Sequence, residues 1–175
     1  MAATFIVEDG TGKSDANSYE SAANADAYWE NYAVPTAWSG LSLDADKEKH
    51  LRIATQWLDA KFRLRMKGRR VYPDTQALQY PRSGVVSHDG HQLRHDVIPD
   101  ALKHATIEAA AKSAAGELMV DVTATDANLE MSEVKVGPIT IKEGFSGSKA
   151  VQTTYSLVEA LLSDLINPAG RLTRS

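Results

Sequence analysis

Apolar residues recur along this chain with two spacings, and the spacings divide it into elements. Leu51, Ala54, Leu58 and Phe62 fall three, four and four apart, the stripe of an amphipathic helix that begins at Ser42 or Asp44. Upstream, Asn17 and Ser18 are candidate caps for a helix running to about Tyr32, where Val34-Pro35 stops it. That segment is rich in alanine (Ala22, Ala23, Ala25, Ala27). Tyr28, Trp29 and Tyr32 give bulk at its end, at a spacing that reads as core rather than as a ligand platform. Pro99 suits the first residue of a further helix through about Val120, and Leu102, Ala105, Ala109 and Ser113 form a small-residue line on it suited to close packing. Ser156 with Glu159 has the form of a capping box for a last helix. It carries Leu157, Val158, Leu161, Leu162, Leu165 and Ile166 and ends at Asn167-Pro168.

Period-two segments lie between and before these helices. Thr4 to Glu8 alternates, with Phe5 and Val7 expected inward, and ends in Asp9-Gly10-Thr11-Gly12. Val134, Val136, Ile139 and Ile141 alternate around Gly137-Pro138, which predicts an extended arm or β-hairpin; the proline restricts it to an edge, and an edge with one apolar face wants a partner. From Ala60 to Lys67 both periods compete. With no turn residue before Gly68, and with good helix formers throughout, the helix is expected to continue to Gly68 and to place Arg63, Lys67 and Arg70 on one face. Gly68 to Pro99 is a long connection of the kind that is functional or packed as an ordered loop. Val122 to Asn128 reads as a linker, Gly144 to Ala150 as a hinge, and the basic tail Arg171 to Ser175 as disordered. The expected fold is mainly α, a small helical bundle with an extended β-hairpin or arm and a C-terminal helix. Its parts are 1–128 (bundle with N-terminal arm and long loop), 129–150 (arm and hinge) and 151–175 (helix and tail).

Composition narrows the function. A chain of 175 residues is one ordinary domain, able to bury about 70% of its unfolded surface. A net charge of −4 argues against coating DNA with the whole surface, so any nucleic-acid contact has to be local. The absence of cysteine removes disulfides, thiolate nucleophiles and cysteine-ligated zinc, and fits a reducing compartment. Residues 1–10 have neither a positive leader nor an apolar run of signal length, and Leu157 to Ile166 is about half a membrane span, so a soluble intracellular protein is expected.

The densest chemical signal is the stretch Trp57 to Arg82. Lys61, Arg63, Arg65, Lys67, Arg69 and Arg70 crowd ten positions, with Trp57 and Phe62 before them and Tyr72 and Tyr80 after, and the stretch closes on Tyr80-Pro81-Arg82. Such a patch fits phosphate contact with nearby stacking, docking on an acidic protein surface, or a solvated helix end. Six cations on DNA would give a log–log salt slope of about −4 to −5.

Other constellations are weaker. Gly12-Lys13-Ser14 resembles the close of a phosphate loop, but the glycine required five residues earlier is Val7. His88, His91 and His95 cluster with Asp89 and Asp96 without the helical spacing of a zinc site, which favours a solvated loop; no metal or other cofactor is expected. Gly144-Phe145-Ser146-Gly147 lacks the elbow of a serine hydrolase, and no carboxylate pair stands out, so no catalytic residue is assigned and an enzyme is not expected.

Several runs carry a resemblance: Ile6 to Gly12 with Ala16-Asn17-Ser18-Tyr19, Ala54 to Asp59, Gln76 to Gly84, Ile98 to Thr106, and Lys135 to Ile139. Together they resemble a family of tailed-phage proteins labelled either DnaT-like single-stranded-DNA-binding proteins or head-to-tail connector (adaptor) proteins, over Phe5 to about Ile166. The family pattern usually has Trp where this chain has Tyr80. The connector label implies a structural virion protein assembled in the host cytoplasm. It would form a homo-oligomeric, dodecameric ring in the neck, meeting the portal protein and a tail-side neck or tail completion protein. Genomic DNA would pass through its channel, and no membrane is implied. On that reading Val134, Val136, Ile139, Ile141, Leu157, Leu161, Leu162 and Leu165 are candidates for inter-subunit or portal contact, and the six cations for DNA or an acidic partner. The DnaT-like label implies a replication-associated single-stranded-DNA-binding protein, the alternative.

Overall fold

The computed structural model describes residues 4–118, 132–136, 139–143 and 155–168. Helices dominate: α1 (Ala22–Glu30), α2 (Thr36–Ser39), α3 (Asp44–Phe62), α4 (Asp100–Ala114) and α5 (Ser156–Leu161). Strands are few and short, β1 (Arg69–Arg70) with β2 (Arg82–Ser83), and β3 (Ser132–Val136) with β4 (Ile139–Glu143). The protein is mainly α with a hairpin, as the periodicities predict. Two compact units result, one of residues 1–119 and 155–175, the other of residues 120–154.

The first unit is built around α3. Asp44 and Asp46 in its first turn and Lys61 in its last complement the helix dipole. Its predicted stripe is fully buried, with Leu51, Ala54, Leu58 and Phe62 all at 0% exposure. α3 packs on α4, α1 packs on α3, and α2 and α5 pack on α4. Close approach is possible because α4 turns Ala105, Ala109, Ala110 and Ala111 inward. Ser113 closes the same line with a hydrogen bond between its hydroxyl and His50 Nδ1, 2.9 Å. Trp38 of the short α2, an element the sequence pattern does not announce, is buried in the same core.

Several expected boundaries differ. α1 starts at Ala22, capped by Ser21, whose hydroxyl accepts from Asn24 N. Asn17 and Ser18 do not cap it. The Asn17 side chain accepts from Ile6 N, and Ser18 forms a parallel bridge with Val7, so they hold the N-terminal segment instead. Phe5 and Val7 are half-buried there, and the residue taken fully inside is Glu8. α4 ends at Ala114 rather than near Val120, its chain turning at Gly116. Pro99 sits at its N-cap, one residue before the expected place. Tyr155, not Ser156, is the N-cap of α5, with no side-chain cap, and α5 stops at Leu161 before turns lead to Ile166.

The largest correction concerns α3. It ends at Phe62, not at Gly68, so Arg63, Lys67 and Arg70 do not share a helical face. Met66 pairs antiparallel with Ile166, Lys67 N donates to Leu165 O, and Asn167 N donates to Arg65 O. The alternation in AKFRLRMK is a true extended signal at its end, and its partner lies about a hundred residues away. Gly68 then turns the chain at φ +68, with a hypothetical Cβ only 2.3 Å from Ser83 O, where only glycine fits.

The connection from Gly68 to Pro99 is packed and ordered. β1 and β2 pair with Arg69 opposite Ser83 and Arg70 opposite Arg82. Gln76, 3% exposed, donates from Nε2 to Leu78 O and Pro81 O and accepts from Tyr72 N. Asp59 of α3 accepts from Tyr19 Oη at 2.6 Å and from Gln79 N at 3.0 Å, and Tyr80 N donates to Tyr19 Oη. Tyr80, before a cis Pro81, is 2% exposed and belongs to the core.

In the second unit β3 and β4 form the expected hairpin, antiparallel, with Val134 opposite Ile141 and Val136 opposite Ile139. Gly137-Pro138, the linker Val122–Asn128, the hinge Gly144–Ala150 with its Phe145-Ser146-Gly147, and the tail from Arg171 lie outside the described residues. Among the described residues no helix is long and apolar enough to cross a membrane.

Candidate functional site

The six cations crowded in sequence do not form one open surface. Lys61, on the last turn of α3, places Nζ 4.6 Å from the Trp57 ring centroid and 3.8 Å from Glu159 of α5. Burial lowers its pKa. Arg65 donates from Nε to Asn167 O at 3.0 Å, lies 3.9 Å from Glu159 and sits over the Phe62 ring. Lys67 Nζ donates to Val86 O at 3.3 Å, and Arg70 donates to Gln76 O. Lys61 and Arg65 thus tie α5 and the C-terminal segment to the end of α3, Lys67 ties the residues after α3 to the long loop, and Arg70 bonds within that loop. Arg63 and Arg69 are exposed, and no hydrogen bond or ion pair engages either side chain among the described residues.

The flanking aromatics are likewise used inside. Trp57 meets Phe62 edge-on at 5.9 Å and Tyr155 at 5.5 Å. Tyr80 is buried, and only Tyr72, 46% exposed, offers a partly open ring. A base-stacking platform needs successive open aromatic faces along a cationic groove, which this stretch does not present. Arg82 completes the inward use of charge: its guanidinium donates to Lys67 O at 2.7 Å and Gly68 O at 2.8 Å, fixing the turn into β1. Glu159 is the counter-charge that organises the cluster. Its spacing from Ser156 has the form of a capping box; the structure turns it toward two cations instead.

The lookalike phosphate loop has an occupant of its own. Glu8, 2% exposed, accepts from Gly10 N and Gly12 N at 2.9 Å on Oε1 and from Lys13 N at 2.8 Å on Oε2. Backbone N–H groups converging in this way make an anion nest, and here the anion is a carboxylate of the same chain. Lys13 Nζ donates to Val7 O at 2.9 Å and pairs with Asp9, so its charge is also used locally. The sequence carries a signal in Glu8-Asp9, the two acids set just before the Gly-rich turn, of which Glu8 turns inward and Asp9 stays exposed.

His88, His91 and His95 lie on an exposed loop, with His88 N donating to Asp164 and Asp96 in an ion pair with Arg94 at 2.7 Å. That pair holds the Asp96 carboxyl down at about 2. Among the described residues no three His, Asp or Glu side chains are placed to hold a metal ion.

The C-terminal contact candidates separate. Leu162 and Leu165 are 1% exposed within this chain's own core, packed beside Val158 and Ile166, and are not free for a partner. Leu161 is half-buried against the core, and Leu157 is 56% exposed. The stripe docks on its own bundle. Val134, Val136, Ile139 and Ile141 stand at paired positions of the β3–β4 hairpin.

Compared with known proteins, the chain matches over residues 3–175 the family model described as "Putative DnaT-like ssDNA binding protein". No curated protein and no solved structure matches it. The chain belongs to this DnaT-like family.

Proposed function

We propose that this chain is a structural assembly subunit of a tailed-phage virion, a head-to-tail connector. It would form a homo-oligomeric ring in the neck between the portal and tail-side proteins, with the genome passing through the channel. The observation that carries this reading is the β3–β4 hairpin. It belongs to a unit of its own, inserted between two stretches of chain that build a single core. Tyr155 Oη donates to Glu117 O, so the core closes where the insertion leaves and returns. Each strand has only the other as a sheet partner among the described residues. A lone two-stranded hairpin is marginal in water, and its outer edges are templates for a further strand. A neighbouring copy or the portal supplies such an edge by β-augmentation.

The role is structural rather than catalytic. Mass measurement and negative-stain imaging of the purified protein, alone and with portal, should give rings. A monomer that ignores portal sinks this reading.

Single-stranded-DNA binding is the second reading, and the family description favours it; that description names no portal, tail or virion. It ranks second because four of the six clustered cations are engaged within the fold. Fluorescence anisotropy with labelled single strands across a salt series separates the two. With only Arg63 and Arg69 of the six clustered cations open to phosphate, the log–log slope from this patch should be about −1.4. Tight binding with a slope near −4 would reverse the order of the two readings, and no binding at low salt would remove the second.

A further inference from the structure

Charge is segregated along this chain. From Ser14 to Asp46 there are six carboxylates (Asp15, Glu20, Asp26, Glu30, Asp44, Asp46) and no Lys, Arg or His, whereas Lys61 to Arg70 holds six cations and no carboxylate. Each segment also leaves apolar bulk in water. In the acidic one Tyr32, Val34 and Leu43 are 60%, 47% and 62% exposed. In the basic one Leu64 is 95% exposed, although Phe62 and Met66 on either side of it are buried. An apolar knob flanked by Arg63 and Arg65 has no packing role among the described residues of its own chain.

A matching surface exists between α1 and α4. A groove of about 460 Å³ there is lined by Tyr28, Tyr32, His104 and Ile107, with Asp100 exposed at its polar side and Glu20 buried, its carboxylate accepting from Ser21 N and Asn24 Nδ2. The Tyr28 ring lies 4.7 Å from Tyr32 and 4.9 Å from His104, giving an aromatic wall, and its hydroxyl donates to Glu108. Lys103, also in the lining, pairs with Asp100 Oδ1 at 3.1 Å, so the two charges offset each other in part, and the Asp100 side chain stays 80% exposed to a further cation.

We propose that the Arg63–Leu64 turn of one copy seats in the α1–α4 groove of a second copy. Leu64 lies against the tyrosines, and the Arg63 guanidinium meets the acidic side or stacks on a tyrosine face. Opposite charge on the two surfaces selects a second copy of this chain as the occupant. The acidic segment would repel nucleic acid, and an acidic protein would fit the basic turn but not the groove. Because the two surfaces share no residue, the contact is heterologous. Each added copy leaves one of each free, so assembly propagates and closes into a ring if the rotation allows. The inference rests on the connector reading and names its subunit contact.

The chain contains no cysteine, so introduced thiols report this contact alone. Leu64→Cys and Tyr32→Cys each alter an exposed side chain, and circular dichroism checks that both variants keep the wild-type fold. Oxidised separately, each should remain largely uncross-linked; mixed, they should give a disulfide heterodimer, and the double variant a ladder. Leu64→Asp should weaken self-association measured by sedimentation by at least about tenfold. If mixing gives no heterodimer, or if Leu64→Asp assembles like wild type, this contact is wrong while the ring reading stands. If the wild type never associates, alone or with portal, the ring reading fails with it.

Discussion

Replacing Glu8 by alanine removes the acceptor from three backbone donors at once. Gly10 N, Gly12 N and Lys13 N all point at its carboxylate, at 2.9, 2.9 and 2.8 Å. Gly10 is buried, so its N–H loses a partner where water does not easily replace it, costing about 2–3 kcal/mol. The bonds to Gly12 and Lys13 are partly buried and open to water, and about 1 kcal/mol each is a fair allowance. Glu8→Ala should therefore cost about 4–5 kcal/mol, a large share of the ~5–15 kcal/mol of a small domain. Glu8→Gln keeps Oε1 on both glycines but turns an NH₂ toward Lys13 N, for a loss of about 1–3 kcal/mol. Urea unfolding followed by tryptophan fluorescence reads both as a lower midpoint at unchanged slope. A nest emptied of its carboxylate remains an anion site, so phosphate or sulfate should raise the Glu8→Ala midpoint more than that of wild type. A loss under about 1 kcal/mol for the alanine variant, with no selective rescue by anion, would refute the account of this loop.

Two further outcomes follow from the packing of the long loop. Burial pushes the Asp59 carboxyl up to about 6, above the ~3.9 of an unfolded chain. Between those values the native state binds more protons, so this group's contribution falls as pH rises from about 4 to 6, by about 3 kcal/mol. Asp9 and Asp96, held down at about 2, act in the opposite direction, and only below about 4. His50, whose pKa burial lowers, opposes Asp59 within this window, so the difference is the test: from pH 4 to 7 the urea midpoints of wild type should fall relative to those of Asp59→Asn, and equal slopes would dismiss Asp59 as the cause. Gly68→Ala should cost about 2–3 kcal/mol and speed proteolysis within residues 68–84, because φ is +68 and the new Cβ would meet Ser83 O at 2.3 Å. Gly84→Ala is the control: φ is +72 with nothing within 4 Å, so only the ~1 kcal/mol of left-handed strain applies.

Local periodicity fixed what depends on neighbours three or four residues apart. The α3 stripe, the small-residue line of α4, and the Val134/Ile141 and Val136/Ile139 alternation of the hairpin are legible in sequence because helices and tight hairpins are closed by short-range bonds. The position of Ser21 rather than Ser18 as the cap of α1 is not, since Ser18 is drawn away by a bridge to Val7.

Tertiary structure decided the rest, and it decided the chemistry. Whether Lys61 and Arg65 face solvent depends on Glu159, nearly a hundred residues further on. Whether α3 continues past Phe62 depends on Ile166 taking Met66 into a bridge. Whether the Gly-rich turn is open to an anion depends on the rotamer of Glu8, and whether Leu162 and Leu165 serve a partner depends on the core they close. A charge or an apolar side chain is a local property of the sequence. What it touches is set by segments the chain folding brings together, so a dense run of cations can be the clamp of a bundle while a single leucine beside it is left to the solvent.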